Sequence, residues 1–268
     1  SFLIFLKNVS VSRCFGVSNS TMMVGRPVQL EITKGESRPT DVVLSVRDLT
    51  VPSKVHKNDA VRSVSFDVRG GEIVCIAGID GNGQTELVQG LTGLEKMSRG
   101  SITLCGSDIS GASIRKRSVT GMSHIPEDRH KHGLVLDYTL EQNLVLQKYK
   151  DPQFQRGGFI RFDEVRKYAD KLIEDYDVRS GQGAVTTARS MSGGNQQKAI
   201  IAREIEEHAK LIIFVQPTRG LDIGAIENIH RQILEERDKG TAILLISLEL
   251  DEIMELADTI GVIYNGQL

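Results

Sequence analysis

The sequence predicts an α/β fold built on a parallel sheet, and three observations predict it. Short β-branched runs alternate with amphipathic helical stretches towards the end of the chain, as in "KLIIFVQ", "GAIENIHRQILEERDKG" and "TAILLISLEL". A parallel sheet needs such crossovers, and its strands read as continuous apolar runs because both faces are covered. The apolar run "GEIVCIA" passes directly into the glycine-rich turn "GIDGNGQTEL", residues 78–87, and helical spacing follows in "QTELVQGLTGL". A charged, helix-spaced stretch from about 140 to 190 interrupts the alternation, with apolar residues three and four apart in "TLEQNLVLQKY" and "FDEVRKYADKLIEDYDV".

Taken in order, residues 25–41 mix Gly, Pro and charge without periodicity and read as a linker. The first twenty or so residues read as a fragment edge, so a structured domain is expected over 42–268 after an edge and linker over 1–41. "VVLSVRDLTV" and "VRSVSFDVRGGEIVCIAG" give strands feeding a buried central strand at 72–77. "GSITLCGSDIS" predicts a hairpin turning at Gly106, and "GMSHIPEDR" a strand leaving into a polar loop. No internal repeat or low-complexity tract is visible.

Composition narrows the class. The 268 residues are 40% apolar and 25% charged, ordinary for a globular protein. A net charge of -2 with interspersed signs leaves no overall electrostatic footprint for nucleic acid or an anionic membrane surface. Cys14, Cys75 and Cys105 are odd in number and widely spaced, which argues against a disulfide framework or zinc site and fits a reducing cytoplasm. No run approaches the roughly 20 apolar residues of a membrane span.

Four stretches carry candidate chemistry, and each has a plainer reading, which for the third is an ordinary strand-to-helix loop and for the fourth a strand end with no ligand near it. The turn at Gly78, Asp80, Gly81, Asn82, Gly83, Gln84 and Thr85 has the glycine spacing of a phosphate cradle, or else its glycines only permit tight geometry. Ser192, Gly193 and Gly194 open an apolar-periodic helix and offer a hydroxyl and free backbone N–H groups to an anion, or else Ser192 is a helix cap. A buried strand ends at Gln216 and runs through Pro217 into a turn at Gly220, Leu221 and Asp222. Another strand ends at Ser247, so that Leu248 would face a ligand at the sheet edge.

In this order and spacing the chain resembles the nucleotide-binding domain of an ABC transporter ATPase over residues 42–268. "GIDGNGQT" corresponds to the family's Walker A loop, "LIIFVQ" to the Walker B strand and the residue after it, "IPED" to the Q-loop and "SGGNQ" to the signature motif. "GIDGNGQTEL", "IPEDRHKHGLV" and "SMSGGNQQK" resemble the second of two ATPase domains fused in bacterial importers of simple sugars and nucleosides, and "MMVGRPV" the end of a first domain. "NLVLQKY" and "RGGFI" incline towards the nucleoside importers.

The resemblance implies a P-loop ABC fold: a parallel-sheet α/β core, an antiparallel β subdomain and a helical insertion at about 135–195. It implies ATP and Mg²⁺ as cofactors, with Thr85 the weak Mg²⁺ ligand. It also implies a first nucleotide-binding domain in the same polypeptide, membrane permease subunits, an indirect solute-binding protein, no nucleic acid, and a peripheral place on the cytoplasmic side of the membrane. The departures fall on catalytic positions. Gln84 stands for the Walker A lysine, Val215 for the Walker B aspartate, Gln216 for the catalytic glutamate, Glu127 for the Q-loop glutamine and Leu248 for the switch histidine. Ser192, Gly193, Gly194, Asn195 and Gln196 match, and in the family this motif completes the opposing domain's ATP site, with Gly220, Leu221 and Asp222 as the D-loop at the seam.

The expected function is therefore an importer ATPase half with a degenerate site of its own and an intact signature. The alternatives are an independently active ABC ATPase and a soluble ABC protein without a transporter. His124, His130 and His132 with Glu127 and Asp128 could be a metal cluster, but a solvated loop is favoured because no thiolate is present. "EERDK", residues 235–239, reads as a solvent face, Cys75 as a core residue, and His56 as a loop histidine near the place where an adenine-stacking aromatic is expected.

Overall fold

Alternating and continuous apolar runs sort into two different sheets in the computed structural model, which describes residues 34–54 and 58–268. Cys14, "MMVGRPV" and His56 lie outside the described residues. β1 (Val42–Pro52) and β2 (Asp59–Arg69) pair antiparallel, and each buries one face, as their alternation requires. β3 (Ile73–Ala77) is apolar throughout and joins the other sheet. α1 (Gln84–Thr92) follows it through the glycine-rich turn. β4 (Arg99–Leu104) and β5 (Ser107–Asp108) form the predicted hairpin around Cys105 and Gly106, and complete a four-stranded antiparallel sheet in the order β2-β1-β4-β5.

α2 (Ile114–Thr120) then leads into β6 (Met122–Ile125), whose exit is a single π-helical turn at Arg129–Gly133 capped by Asp128. The insertion holds α3 (Leu140–Leu144), the hairpin β7 (Gln155–Arg156) and β8 (Phe159–Ile160), and α4 (Phe162–Asp175). The helix expected across "TLEQNLVLQKY" is thus only five residues long, started by a Thr139–Gln142 capping box and followed by turns. α4 buries Ala169 and Leu172 against α3 and the following 3₁₀ turn, and Val165 against Val145 and Phe154.

The alternation resumes with α5 (Gly193–Ile205), β9 (Leu211–Val215), α6 (Ile223–Asp238), β10 (Ala242–Ser247), α7 (Leu250–Leu256) and β11 (Thr259–Val262). The parallel sheet runs β11-β3-β10-β9-β6, so β10 and not β3 is its centre. One apolar cluster fills the space between the antiparallel sheet, α1 and the parallel sheet, and another lies between the parallel sheet and α5, α6 and α7. The carboxyl ends of β3, β9 and β10 therefore open on one side, where the turns of interest begin.

Two expectations are corrected. "EERDK" is a solvent face only at Glu235, Asp238 and Lys239, because Glu236 is 7% and Arg237 1% exposed. Arg237 bonds Asp238 at 2.6 Å, Asp258 at 3.3 Å and the Gly35 carbonyl at 3.1 Å, while Lys34 reaches Asp258 at 2.7 Å. The linker read over 25–41 is accordingly bound to the domain in its described part, since Thr40 also donates its N–H to Gly70 at 2.9 Å. Residues 34–41 still lack regular structure, as their composition demanded.

Candidate functional site

The glycine turn is shaped by close approach as well as by conformation. Gly83 has φ 102°, and a Cβ there would collide with the Ala60 carbonyl. Gly83 starts α1 with no side-chain cap, leaving the first N–H groups of α1 facing the turn, whereas Ser192, Asp222 and Thr139 each cap their own helix. Asn82 braces the turn, donating to the Ile79 carbonyl at 3.0 Å and accepting from the Asn265 N–H at 2.7 Å. Thr85 and Asp80 are exposed.

Gln84 is 7% exposed and folds back into this turn. With its amide oriented by its neighbours, the nitrogen donates to the Ile79 carbonyl at 3.1 Å and the oxygen accepts from the Gly78 N–H at 3.3 Å. A neutral side chain thus braces the loop from inside.

At the end of β9, Val215 is buried, and Gln216 takes φ 45°, a left-handed conformation that costs a non-glycine residue about 1–3 kcal/mol. That backbone aims its amide at Glu127, donating at 3.2 Å, and Arg219 closes an ion pair with the same Glu127 oxygen. Three of the departing or neighbouring positions therefore satisfy one another. Arg219 was missed in the sequence, where its signal was a lone cation in "PTRGLD". Leu248 is half-buried after β10, where the Ser247 hydroxyl accepts from the Glu249 N–H at 3.1 Å.

"SGGNQ" is held differently. The Ser192 hydroxyl, at the exposed start of α5, accepts from the Asn195 N–H at 3.4 Å and side-chain nitrogen at 2.9 Å, and Asn195 in turn accepts from the Arg179 N–H at 2.8 Å. Gln196 is buried, donating to the Ala188 carbonyl at 2.9 Å and meeting His130 at 3.0 Å. Arg129 donates to the Gly193 carbonyl at 3.4 Å. Gly194 lies against the D-loop side, where a Cβ would sit 3.7 Å from both Ala225 and Asp222. Asp222 caps α6 through the Ala225 N–H at 3.0 Å, and Gly220 takes φ 70° to make the turn. The motif around 125–133 thus supports the signature helix through Arg129 and His130, a role the sequence did not show.

Beneath the D-loop lies a buried cluster. Thr218 donates to Glu252 at 2.8 Å, and His230 meets Glu252 at 3.1 Å and Glu255 at 3.2 Å. Burial pulls the His230 pKa down, but the hydrogen bonds and charges of Glu252 and Glu255 outweigh it and raise it to about 9. A pKa above the unfolded value stabilises fully below about pH 6.5 and loses that contribution as pH rises through about 9. Thermal stability is expected to fall between pH 7 and pH 10 by an amount of order 1–3 kcal/mol, and His230→Gln to flatten that slope. An unchanged slope in the variant would detach the pH dependence from this cluster.

Of the histidines weighed as metal ligands, His124 lies on β6 with its Nε2 buried and unpartnered, its pKa pushed down to about 4 by burial and by His132. Asp128 is used as the cap of the π turn. Among the described residues, no group of three His, Cys, Asp or Glu side chains could hold a metal ion. Cys75 is fully buried in β3, its thiol pushed up to about 12 by burial and by Glu252.

The uncapped helix and glycine turn suit the phosphates of a nucleotide such as ATP. The residues do not fit Mg²⁺: β9 ends in Val215 and is followed by Gln216, and Glu127 is bonded to Arg219. Thr85, the expected Mg²⁺ ligand, is exposed and has no carboxylate beside it among these positions.

A parallel sheet with a phosphate-type turn after β3, an antiparallel sheet beside it and a helical insertion define an ATP-binding cassette. The family profile described as ABC transporter matches residues 61–219, more than half of the chain, and the chain belongs to that family. It is 49% identical over 92% of its length to the nucleoside import ATP-binding protein NupA of Lactococcus lactis subsp. cremoris, and covers 48% of that protein. It is 47% identical over 93% of its length to the guanosine import ATP-binding protein NupO of Bacillus subtilis, again covering 48%. The chain thus spans about half the length of these relatives. A solved nucleotide-free ATP-binding cassette from an ABC transporter has the same fold, with TM-score 0.69 and 21% identity over 85% of this chain and 89% of that one.

Proposed function

We propose that this chain is the second nucleotide-binding half of an importer ATPase, hydrolytically idle at its own loop and active through its signature. The observation that carries the proposal is the contrast between the two anion-facing elements. At the loop, the lysine position is a neutral amide folded inward, and Gln216, Glu127 and Arg219 are spent on one another. At the signature, Ser192 and the first N–H groups of α5 stand at the surface, braced from behind by Asn195, Gln196 and Arg129. Donors fixed in advance at a helix start are what a developing γ-phosphate charge needs, and they work on ATP held by another domain's loop.

The relatives' names support nucleosides as the cargo, with simple sugars the wider class. Their double length supports a first cassette in the same polypeptide. Membrane permease subunits, with this chain at their cytoplasmic side, and through them a solute-binding protein, complete the assembly. Among the described residues no helix is long and apolar enough to cross a membrane.

The test is titration of this chain with ATP and Mg²⁺ by calorimetry, beside a phosphate-release assay. No release above background and weak binding are expected. Gln84→Lys should tighten binding about ten- to a hundredfold, since a charge-assisted bond to phosphate contributes about 1.5–3 kcal/mol. It should not restore turnover, because Gln216 cannot accept the proton of an attacking water. Steady turnover by the unmodified chain would overturn the reading.

A further inference from the structure

The hairpin of β7 and β8 stands out from the helical insertion on a two-residue turn, Gly157 and Gly158, with φ of 59° and 87°. Two consecutive left-handed residues match the twist of a tight hairpin. Its tip is apolar and uncovered: Phe159 is 81% exposed, Phe162 62% and Ile160 36%. A single exposed hydrophobic residue needs no explanation, but three within four positions form a patch.

The register pairs Arg156 with Phe159 and Gln155 with Ile160. Successive strand residues face opposite sides, so Phe159 and Ile160 stand on opposite faces of the hairpin. A flat protein surface covers one such face, whereas a fluid interface surrounds both. The charge around the tip is basic. Arg156 and Arg161 are the charged residues between 152 and 162, both exposed, and Arg161 lies 3.6 Å from Glu164.

The base of the hairpin is anchored. Phe154 is buried against Tyr168 with ring centroids 5.1 Å apart, and the Arg161 N–H donates to the Phe154 carbonyl at 2.8 Å. A tip presented on a fixed base loses little freedom when it is covered.

We propose that this hairpin contacts an anionic phospholipid surface. Phe159, Ile160 and Phe162 enter the boundary between headgroups and acyl chains, and Arg156 and Arg161 meet lipid phosphates. The contact would orient the helical insertion against the membrane independently of what the phosphate loop does.

The experiment is co-sedimentation of the 268-residue chain with vesicles of phosphatidylglycerol and phosphatidylcholine, and with phosphatidylcholine alone. Binding to the anionic vesicles that weakens with salt is expected. Phe159→Ser with Phe162→Ser should lower the partition coefficient at least about tenfold, and Arg156→Glu and Arg161→Glu about fivefold or more each. These side chains are exposed, so circular dichroism should show the fold unchanged. Equal sedimentation of the unmodified chain and the Phe variant would place any lipid binding elsewhere, including the apolar "SFLIFL", and overturn the proposal. Loss of permease co-purification without any change in vesicle binding would mark a protein-docking surface and overturn it equally.

Discussion

Replacing Ser192 by Ala together with Gly193 by Ala in the full-length protein is expected to lower ATP turnover by about 10²–10³-fold, the loss usual for removing a preorganised donor from a charge-stabilising site. The expectation rests on the second-half reading, in which these residues serve ATP held by the opposing cassette. Local geometry makes the result interpretable. Ser192 is exposed, and a Cβ on Gly193 would approach Arg129 no closer than 3.6 Å, so this chain can accept both changes without repacking. Loss of the Ser192 cap costs about 1 kcal/mol, enough to lower stability slightly but not to unfold the domain. Turnover and thermal unfolding should therefore separate: activity falls far while the melting temperature moves a few degrees. Ser192→Thr keeps cap and hydroxyl and should retain most activity. Unchanged turnover in the double variant would remove the signature from the mechanism.

Arg237→Ala is expected to destabilise this chain by about 2–4 kcal/mol, because it empties a fully buried site and takes a donor from the Gly35 carbonyl and from Asp258. Arg237 is 1% exposed and is shared among Asp238, Asp258 and the Gly35 carbonyl. Asp258 also accepts the Ile73 N–H at 2.9 Å and pairs with Lys34, so the cluster joins the start of β3, the end of α6, the segment after α7 and the incoming chain. The melting temperature should drop by roughly 10 °C. Arg237→Lys should recover only part of the loss, since an ammonium cannot present the guanidinium's planar set of donors. A loss below about 1 kcal/mol would class the cluster with weak surface pairs.

Much of the candidate site was legible because its signals are local. The glycine turn is a strand, glycines and a helix start within ten residues, "SGGNQ" is a helix start, and β10 ends at Ser247 as its apolar run ends. Local chemistry also explains the Asp222 and Ser192 caps. Interactions across the chain were not legible. Glu127 and Arg219 lie 92 residues apart, and nothing in "IPED" or "PTRGLD" alone says that one neutralises the other. The burial of Arg237 within "EERDK" was hidden for the same reason, because the groups that make it tolerable are 21 and 202 residues away.

By itself the sequence determined the fold class and the two glycine-rich helix starts, since each depends on periodicity or glycine spacing, while the departures at the loop were read from the family resemblance. Only the tertiary structure decided that Gln84 braces the loop from inside, that Gln216 is bent towards Glu127, and that His230 lies buried between Glu252 and Glu255 beneath the D-loop. Those outcomes depend on which desolvated groups meet when distant strands end side by side, and a buried polar atom takes the partner the fold supplies.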